Sequence, residues 1–276
     1  MTELSPLPRS TTEPLRPHAR LSEYYGNEAE RQNFVRQIFD ATAPDYDRIE
    51  SMLAFGSGPW YRRQALLRAG MGAGMQVVDV GIGTGLLARE ALSIIGASGQ
   101  LTGVDPSPGM MGQIKLTGIT LRAGRAEALP CEDHSADFIS MGYALRHVAD
   151  VDAALAEYLR VLRPGGKLLM LEITRPDSAW GRSLLKGYMR VVVPGLARWV
   201  SSARGGARDN ARDGARVNAR ESARETPRLW RYYWDTIDSC ITPPQVLEAM
   251  QRAGFVSVRR HLELGLFSEY TASKPA

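Results

Sequence analysis

Between Asp79 and Gly85 the chain reads Asp-Val-Gly-Ile-Gly-Thr-Gly, three alternate glycines behind an acid. An apolar run (Val77, Val78, Val80) leads into it, and the helical stretch Leu86 to Ile95 follows. Glycines suit such a turn because the backbone must adopt unusual φ values and let a ligand approach without a Cβ in the way. The first amide groups of the following helix then point at whatever is bound. A dinucleotide fingerprint requires G-x-G-x-x-G, but the sixth position from Gly81 is Leu86, and Gly85 falls one place early. A second acid, Asp105, closes the next apolar run, from Gln100 to Val104. At a strand end it can accept two hydrogen bonds from ribose hydroxyls. A glycine turn with a helix-capping Asp is the plain structural alternative.

These residues need strands to present them, and the periodicity supplies them. Helical patterning starts at Glu28, with Phe34, Val35, Ile38 and Phe39 on one face. Ala43-Pro-Asp-Tyr-Asp47 predicts a break, followed by a short helix carrying Ile49, Met52, Leu53 and Phe55. Gly56 to Pro59 reads as a loop, 60–69 as helix, and the preface ends in the glycine-rich 70–74. Strands are then expected at 75–80, 100–104, 119–122, 136–141 and 167–173, with helices at 86–95, about 110–115 and 151–162. Helices near 178–190, 229–240 and 243–253 precede two last strands at 255–262 and 265–272. Such alternation implies an α/β domain whose mostly parallel sheet is covered on both faces.

The G-x-G-x-G spacing behind Asp79 resembles the first motif of the class I S-adenosylmethionine-dependent methyltransferases, and motifs downstream narrow the likeness. Phe39 to Asp47, Asp105-Pro-Ser-Pro-Gly-Met110, Ala126-Glu-Ala-Leu-Pro130, Leu145-Arg-His-Val148, Arg160 to Gly166 and Leu171 to Pro176 together resemble the ubiquinone/menaquinone-biosynthesis C-methyltransferase family. The likeness runs from about 34 to 176 and resumes at 232–255. It implies a Rossmann-like seven-stranded sheet with an antiparallel last strand, and methyl transfer from S-adenosyl-L-methionine to a ring carbon of a polyprenylated hydroquinone.

By the same resemblance the cofactor would meet Asp79, Gly81, Gly83, Thr84, Gly85, Asp105 and Met110, with Arg125 and Ala126 against the adenine and Gly142 near the methionine part. Tyr46 and Asp47 would help close the site. Tyr143 follows the fourth strand on the carboxyl-end side, where such sheets bind ligands, and reads as a catalytic-pocket residue or as a core-edge tyrosine. Arg146 matches the arginine of the family's Leu-Arg-Asn motif and is the expected catalytic group. A guanidinium stays charged, so it would stabilise a developing phenolate or orient a water, rather than act as the base. A plain salt bridge to Asp150 or Asp152 is the rival reading. His147 stands where the family has Asn and reads as a surface or hydrogen-bonded histidine; Glu172 is left open between pocket and pairing.

The chain departs from the family in five places, one of them the C-terminal stretch Leu264 to Tyr270, which does not match the family's ending. Arg125 replaces a short Asp or Asn, and Arg has no acceptor for an adenine amino group. The stretch from Asp105 to Ala126 is short, Glu50 follows the Tyr-Asp motif without the usual Asn, and no His precedes Trp60. Cofactor chemistry therefore transfers better than acceptor identity.

Composition adds limits. At 276 residues, 44% hydrophobic and 23% charged, the chain reads as an ordinary globular protein large enough for a real core. No apolar run is long enough to span a bilayer, and the N-terminus has no apolar core of a secretory signal. Cys131 and Cys240 make no disulfide framework, and His18, His134, His147 and His261 are scattered, so no metal site is expected. The net charge of +4 is mostly local: residues 201–228 repeat a tetrad ending in Arg seven times, with Asp209, Asp213, Glu221 and Glu225 among them, contributing +3. On a helix those arginines would drift by about 40° per repeat, and no aromatic side chain interleaves them for base stacking. A flexible insert is expected, as is a disordered tail over 1–27 before a methyltransferase domain over 28–276.

The expected activity is methylation of a small, apolar, quinol-like acceptor in a cytoplasmic protein. Nucleic acid is not an expected partner, membrane contact would be peripheral at most, and a homodimer is compatible. The alternatives are an O- or N-methyltransferase of a specialised metabolite, a catalytically silent cofactor-binding homologue, and a nucleic-acid methyltransferase that uses the arginine repeat.

Overall fold

A computed structural model describes residues 14–53, 57–176, 178–195, 225 and 228–276. Its helices are α1 (Glu28–Leu53), α2 (Gly58–Arg68), α3 (Leu86–Ile95), α4 (Pro108–Met111), α5 (Val151–Val161), α6 (Ala179–Gly187), α7 (228–239) and α8 (Pro243–Ala253). The strands are β1 (Gln76–Val80), β2 (Gln100–Asp105), β3 (Ile119–Ala123), β4 (Ala136–Gly142), β5 (Leu162–Ile173), β6 (Val256–Glu263) and β7 (Phe267–Ser273). They form one seven-stranded sheet in the order β3-β2-β1-β4-β5-β7-β6. β1 to β5 are parallel, and β7 runs antiparallel to both β5 and β6.

The strand residues alternate between two cores, as a sheet covered on both faces requires. Val78, Ile139, Leu168 and Met170 pack with Leu155 and Tyr158 of α5 and Val246 and Met250 of α8. Val77, Phe138, Leu169 and Leu171 pack on the other face, with Ala65 and Leu66 of α2 and Leu87, Ala91 and Ile95 of α3. A third cluster joins Ile38 of α1, Met189 and Val193 beyond α6, and Leu229, Trp230, Tyr233, Trp234 and Ile237 of α7. It roofs the carboxyl ends of the central strands. β1 lies between β2 and β4, so the strand order reverses there, and the crevice outside such a reversal is where open α/β sheets bind ligands.

Two expectations are corrected. α1 runs unbroken through Pro44 for 26 residues. Proline removes one hydrogen bond to the carbonyl of Asp40 and crowds it, but buried Ile38, Thr42, Ala43 and Asp45 hold that turn against the domain. Asp40 is tied down through its side chain, which accepts from Ser107 Oγ (2.6 Å) and the Gly109 amide (2.8 Å). Tertiary packing here outweighs local propensity. The second correction concerns residues 14–27, expected to be disordered. They form a strap: the Val151 amide donates to the Leu15 carbonyl (2.9 Å), the Ile241 amide to the Pro17 carbonyl (2.7 Å), and Tyr24 Oη to Asp235 (2.7 Å). His18 and Tyr25 are buried beneath it. A strap fixed by single residues and main-chain groups carries no periodicity to read.

Smaller shifts follow from caps. The helix expected at about 110–115 is only the four-residue α4, begun by Ser107, whose Oγ accepts from the Met110 amide. The strand expected from 167 already pairs at Leu162, with a register irregularity against Ala136 and Phe138. Phe55 and, apart from Glu225 and Arg228, the tetrad repeat lie outside the described residues.

Candidate active site

Each strand end around the crevice delivers one piece of the site. In β1, Asp79 is paired in register with Gly103 and Ser140. Its Oδ1 accepts from Ser140 Oγ at 2.6 Å, while Oδ2 is buried and has no partner among the described residues. Burial, with the Asp105 carboxylate nearby, pushes Asp79 up to about 7. Asp105, ending β2, accepts from the Gly83 amide and the Ser107 amide, both at 2.8 Å. Burial raises it to about 6 against those two stabilising hydrogen bonds.

The turn between β1 and α3 needs glycine for a measurable reason. Gly81 has φ +68°, and a Cβ there would meet the Ala144 methyl at 2.7 Å. The backbone thus lies against the β4 side of the crevice with no room for a side chain. Gly81, Gly83, Thr84, Met110 and Gly142 line the crevice together with Asp79 and Asp105. Gly85 does not: it begins α3 with φ +85°, and a Cβ would face Leu116 at 3.2 Å and Ile114 at 3.5 Å, so its glycine serves the packing behind the turn.

Arg125 and Ala126 line an adjoining groove with Val80, Val104, Pro106 and Gly124. The Arg125 side chain donates to Gln32 Oε1 (3.0 Å) and Glu127 (3.3 Å), both of which line the same groove. Its guanidinium is thus tethered at the groove wall. Nothing in the local sequence reveals that tether, because Gln32 belongs to α1.

Beyond Gly142 the crevice opens into an aromatic chamber. Phe39 and Tyr46 come from α1, Leu185, Tyr188 and Met189 from α6 and its continuation, and Trp230 and Tyr233 from α7. Tyr46 stacks on Trp230 at 6.2 Å between centroids, and its hydroxyl lies 2.7 Å from that of Tyr233. Tyr143, held at φ +59°, lines the same space, and its amide donates to the Leu171 carbonyl at 2.8 Å. Of these residues Phe39 and Tyr46 lie in a motif, and Tyr143 is marked by its place after the fourth strand. For the α7 wall the sequence offers the helical pattern at 229–240 and the likeness that resumes at 232.

Arg146 lies in the 3-10 turn Leu145–His147, fully buried, at the inner end of this chamber. It pairs with Glu172 at the end of β5, and its guanidinium carbon lies 4.6 Å from the Tyr233 ring centroid. Nε and Nη2 are buried with no partner among the described residues. Burial is the largest influence and opposes its charge, but Glu172 together with Tyr233, Tyr46 and Cys240 more than offsets it, so Arg146 stays a cation. The expected rivals for that pairing are engaged elsewhere: Asp150 caps α5, and Asp152 pairs with Arg252 at 3.1 Å. His147 lines the chamber, where burial and then Arg146 drive its pKa well below the ordinary value, leaving it neutral. It packs edge-on to Phe39 at 5.2 Å, so it is an interior ring, not a surface one.

The residues present fit S-adenosylmethionine. The crevice offers an acid for vicinal hydroxyls in Asp105, a turn that admits backbone approach, and a buried unpartnered carboxylate oxygen on Asp79 able to meet an ammonium group.

Comparison with known proteins agrees with the geometry. Residues 26–205 match the ubiE/COQ5 methyltransferase family. Over 176 residues the chain is 37% identical to the ubiquinone/menaquinone biosynthesis C-methyltransferase UbiE of Shewanella halifaxensis, covering 60% of this chain and 70% of that one. Over 235 residues it is 30% identical to the demethylmenaquinone methyltransferase of Symbiobacterium thermophilum, covering 82% and 86% respectively. Among solved structures, a SAM-dependent methyltransferase from Thermotoga maritima superposes with a TM-score of 0.57 at 21% identity, over 87% of this chain and 99% of that one. Phosphoethanolamine N-methyltransferase 2 of Haemonchus contortus, in complex with S-adenosylhomocysteine, gives a TM-score of 0.57 at 17% identity over 87% and 60%. At such identities the structures speak for the fold.

Proposed function

The chain belongs to the ubiE/COQ5 methyltransferase family and is an S-adenosylmethionine-dependent methyltransferase, and from that premise we propose that it methylates a ring carbon of an apolar, quinol-like acceptor. The observation that carries this reading is Arg146: a buried guanidinium with two nitrogens unpartnered among the described residues, at the end of an aromatic chamber. The named relatives act in ubiquinone and menaquinone biosynthesis or on demethylmenaquinone, acceptors whose flat rings match those walls.

When bound, the cofactor supplies an electrophilic methyl group on a sulfonium. Asp79, Gly81, Gly83, Thr84, Asp105 and Met110 would hold it, with the backbone at 125–126 beside the base. An aromatic carbon attacks well only when a ring hydroxyl gives up its proton. Arg146 stabilises the resulting phenolate oxygen by preorganised charge in a water-poor site, and the hydroxyl proton leaves through a water oriented by the guanidinium. After methylation the hydrogen on the substituted ring carbon is lost as a proton and the ring oxygen regains one, which restores the aromatic ring. Glu172 fixes the guanidinium so that no reorganisation is needed as charge develops. Phe39, Tyr46, Trp230 and Tyr233 hold the ring plane and exclude water, which is an alignment effect.

Peripheral membrane contact is part of the proposal. Among the described residues no helix is long and apolar enough to cross a membrane. The outer face of α6 and its continuation exposes Trp180, Leu184, Val191 and Val192, and the same segment carries Arg182 and Lys186. Leu185 and Met189 of the same segment line the chamber. That composition suits an interfacial helix over which a lipid-tailed acceptor enters.

The test is methyl transfer from labelled cofactor to a panel of demethylated quinols, phenols and amines. Quinols are expected to be methylated and the others not. Transfer confined to phenol oxygens or amines would replace this reading with an O- or N-methyltransferase.

A further inference from the structure

The chamber contains a second ion pair, buried on its arginine side, that the mechanism above leaves unused. Glu50, near the end of α1, and Arg62, in the second turn of α2, are bonded to one another and both line the chamber wall. Arg62 is 4% exposed, and the Glu50 side chain 22%. Nothing about joining α1 to α2 demands charge there. Removing two charges from water is costly, and apolar residues of similar volume commonly do as well or better. With Tyr46 and Tyr143 close by, the pair gains more from facing a ligand than from holding two helices together.

Its chemistry specifies the ligand group. The pair is neutral as a unit, so it does not call for a charged partner. It offers guanidinium N–H donors beside a carboxylate that accepts, which is the complement of a hydroxyl. Arg146–Glu172 has the same composition at the inner end of the chamber. Tyr143 lies within electrostatic reach of all four charges, and Tyr46 within reach of Arg146, Glu50 and Arg62. The two pairs therefore flank the space lined by these two rings.

We propose that Glu50–Arg62 is a second anchor, holding a ring oxygen of the acceptor other than the one stabilised by Arg146, so that the protein selects aromatic acceptors with two ring oxygens over those with one. This specificity rests on the proposed ring-carbon methylation. Arg62 and Glu50 act in binding and orientation, while Arg146 remains the group at the reacting phenolate. A site built to hydrogen-bond a substrate hydroxyl penalises the analogue that lacks it, because its own polar groups are left unpaired.

The experiment compares initial rates on a matched pair of short-tailed acceptors, a 1,4-dihydroxynaphthalene and its monohydroxy analogue. The wild-type protein is expected to favour the diol by about 100-fold in kcat/KM. In the double variant Glu50→Met with Arg62→Met, which strands no lone charge, the preference is expected to fall to within about threefold. The loss should appear as a raised KM for the diol. Arg62→Lys, which keeps charge but not the fork, should fall between the two. Thermal unfolding and cofactor affinity are measured alongside. Retained preference in the double variant, or an equal loss for both acceptors with a lowered Tm, would overturn the anchor and make the pair a helix staple. Wild-type turnover of both acceptors without preference would also overturn it while leaving ring methylation standing. Turnover of neither would remove the ring-methylation reading itself, and the anchor with it.

Discussion

The cofactor crevice and the acceptor chamber are adjacent, yet they are built by opposite means. The crevice is made of backbone and acids at the ends of three neighbouring strands: the Gly81–Gly83 turn, Asp79, Asp105 and Gly142. Its polar groups are single carboxylates pushed towards neutrality by burial. The chamber is made of large side chains from helices far apart in sequence, and its charges come as Arg–Glu pairs. One half waits for a cationic, hydroxyl-rich ligand to complete its hydrogen bonds. The other is already neutral and apolar, suited to a ring. The sheet thus fixes the common chemistry, and the helical roof decides which molecule receives it.

Three perturbations sharpen that contrast. The largest effect is expected at Arg146. Truncation to Ala should cost about 3–5 kcal/mol in chemical denaturation, because Glu172 is left charged and unpaired in the interior, and should abolish turnover. The double variant Arg146→Met with Glu172→Met should recover most of the stability, keep cofactor affinity and still lack turnover. If turnover returns with stability, the pair is only structural and the chamber has lost its chemical role.

On the crevice side, a smaller effect tests Asp79. Its folded pKa, about 7, lies above the ordinary carboxylate value, so the folded state holds the proton longer than the unfolded chain. Stability without cofactor should therefore fall as pH rises from about 4 to about 7, since the unfolded chain releases its proton first. Cofactor affinity should move the other way, rising by up to about tenfold per pH unit below 7 as Asp79 ionises to meet an ammonium. Calorimetry between about pH 5.5 and 7.5 reads this directly, and Asp79→Asn should flatten the profile. A profile unchanged by that substitution would remove Asp79 from the binding site.

The smallest effect belongs to the outer face of the roof. Trp180→Ser with Leu184→Ser should raise KM a few-fold for a long-tailed acceptor presented in anionic vesicles. It should leave a short-tailed soluble acceptor unaffected. Equal effects on both would mean that α6 shapes the chamber and does not face a lipid surface.

The same contrast explains what could be read from sequence. The crevice was legible because its parts are contiguous: one glycine turn, one acid per strand end and an apolar run before each. Gly85 misled because a motif glycine can serve the turn's packing as well as its ligand, and only the positions of Ile114 and Leu116 distinguish them. Arg125 could not be placed from sequence because its tether to Gln32 depends on α1, 93 residues away in the chain. The chamber was mostly illegible. Arg146 and Tyr46 had motifs, but Arg62, Leu185, Met189 and Trp230 carry no local pattern beyond apolarity or charge. Pro44 reads as a helix end until the packing around Ile38 and Ala43 is known. The strap at 14–27 is likewise held by partners from Val151 to Ile241 that no window contains.

The central claim is that the roof presents a ring carbon, rather than a hydroxyl, to the methyl donor. Transfer from cofactor labelled with carbon-13 in its methyl group, followed by carbon NMR of the product from a demethylated quinol, tests it most directly. A single labelled aryl-methyl resonance is expected. A labelled methoxy resonance, or binding of both ligands without any labelled product, would contradict it.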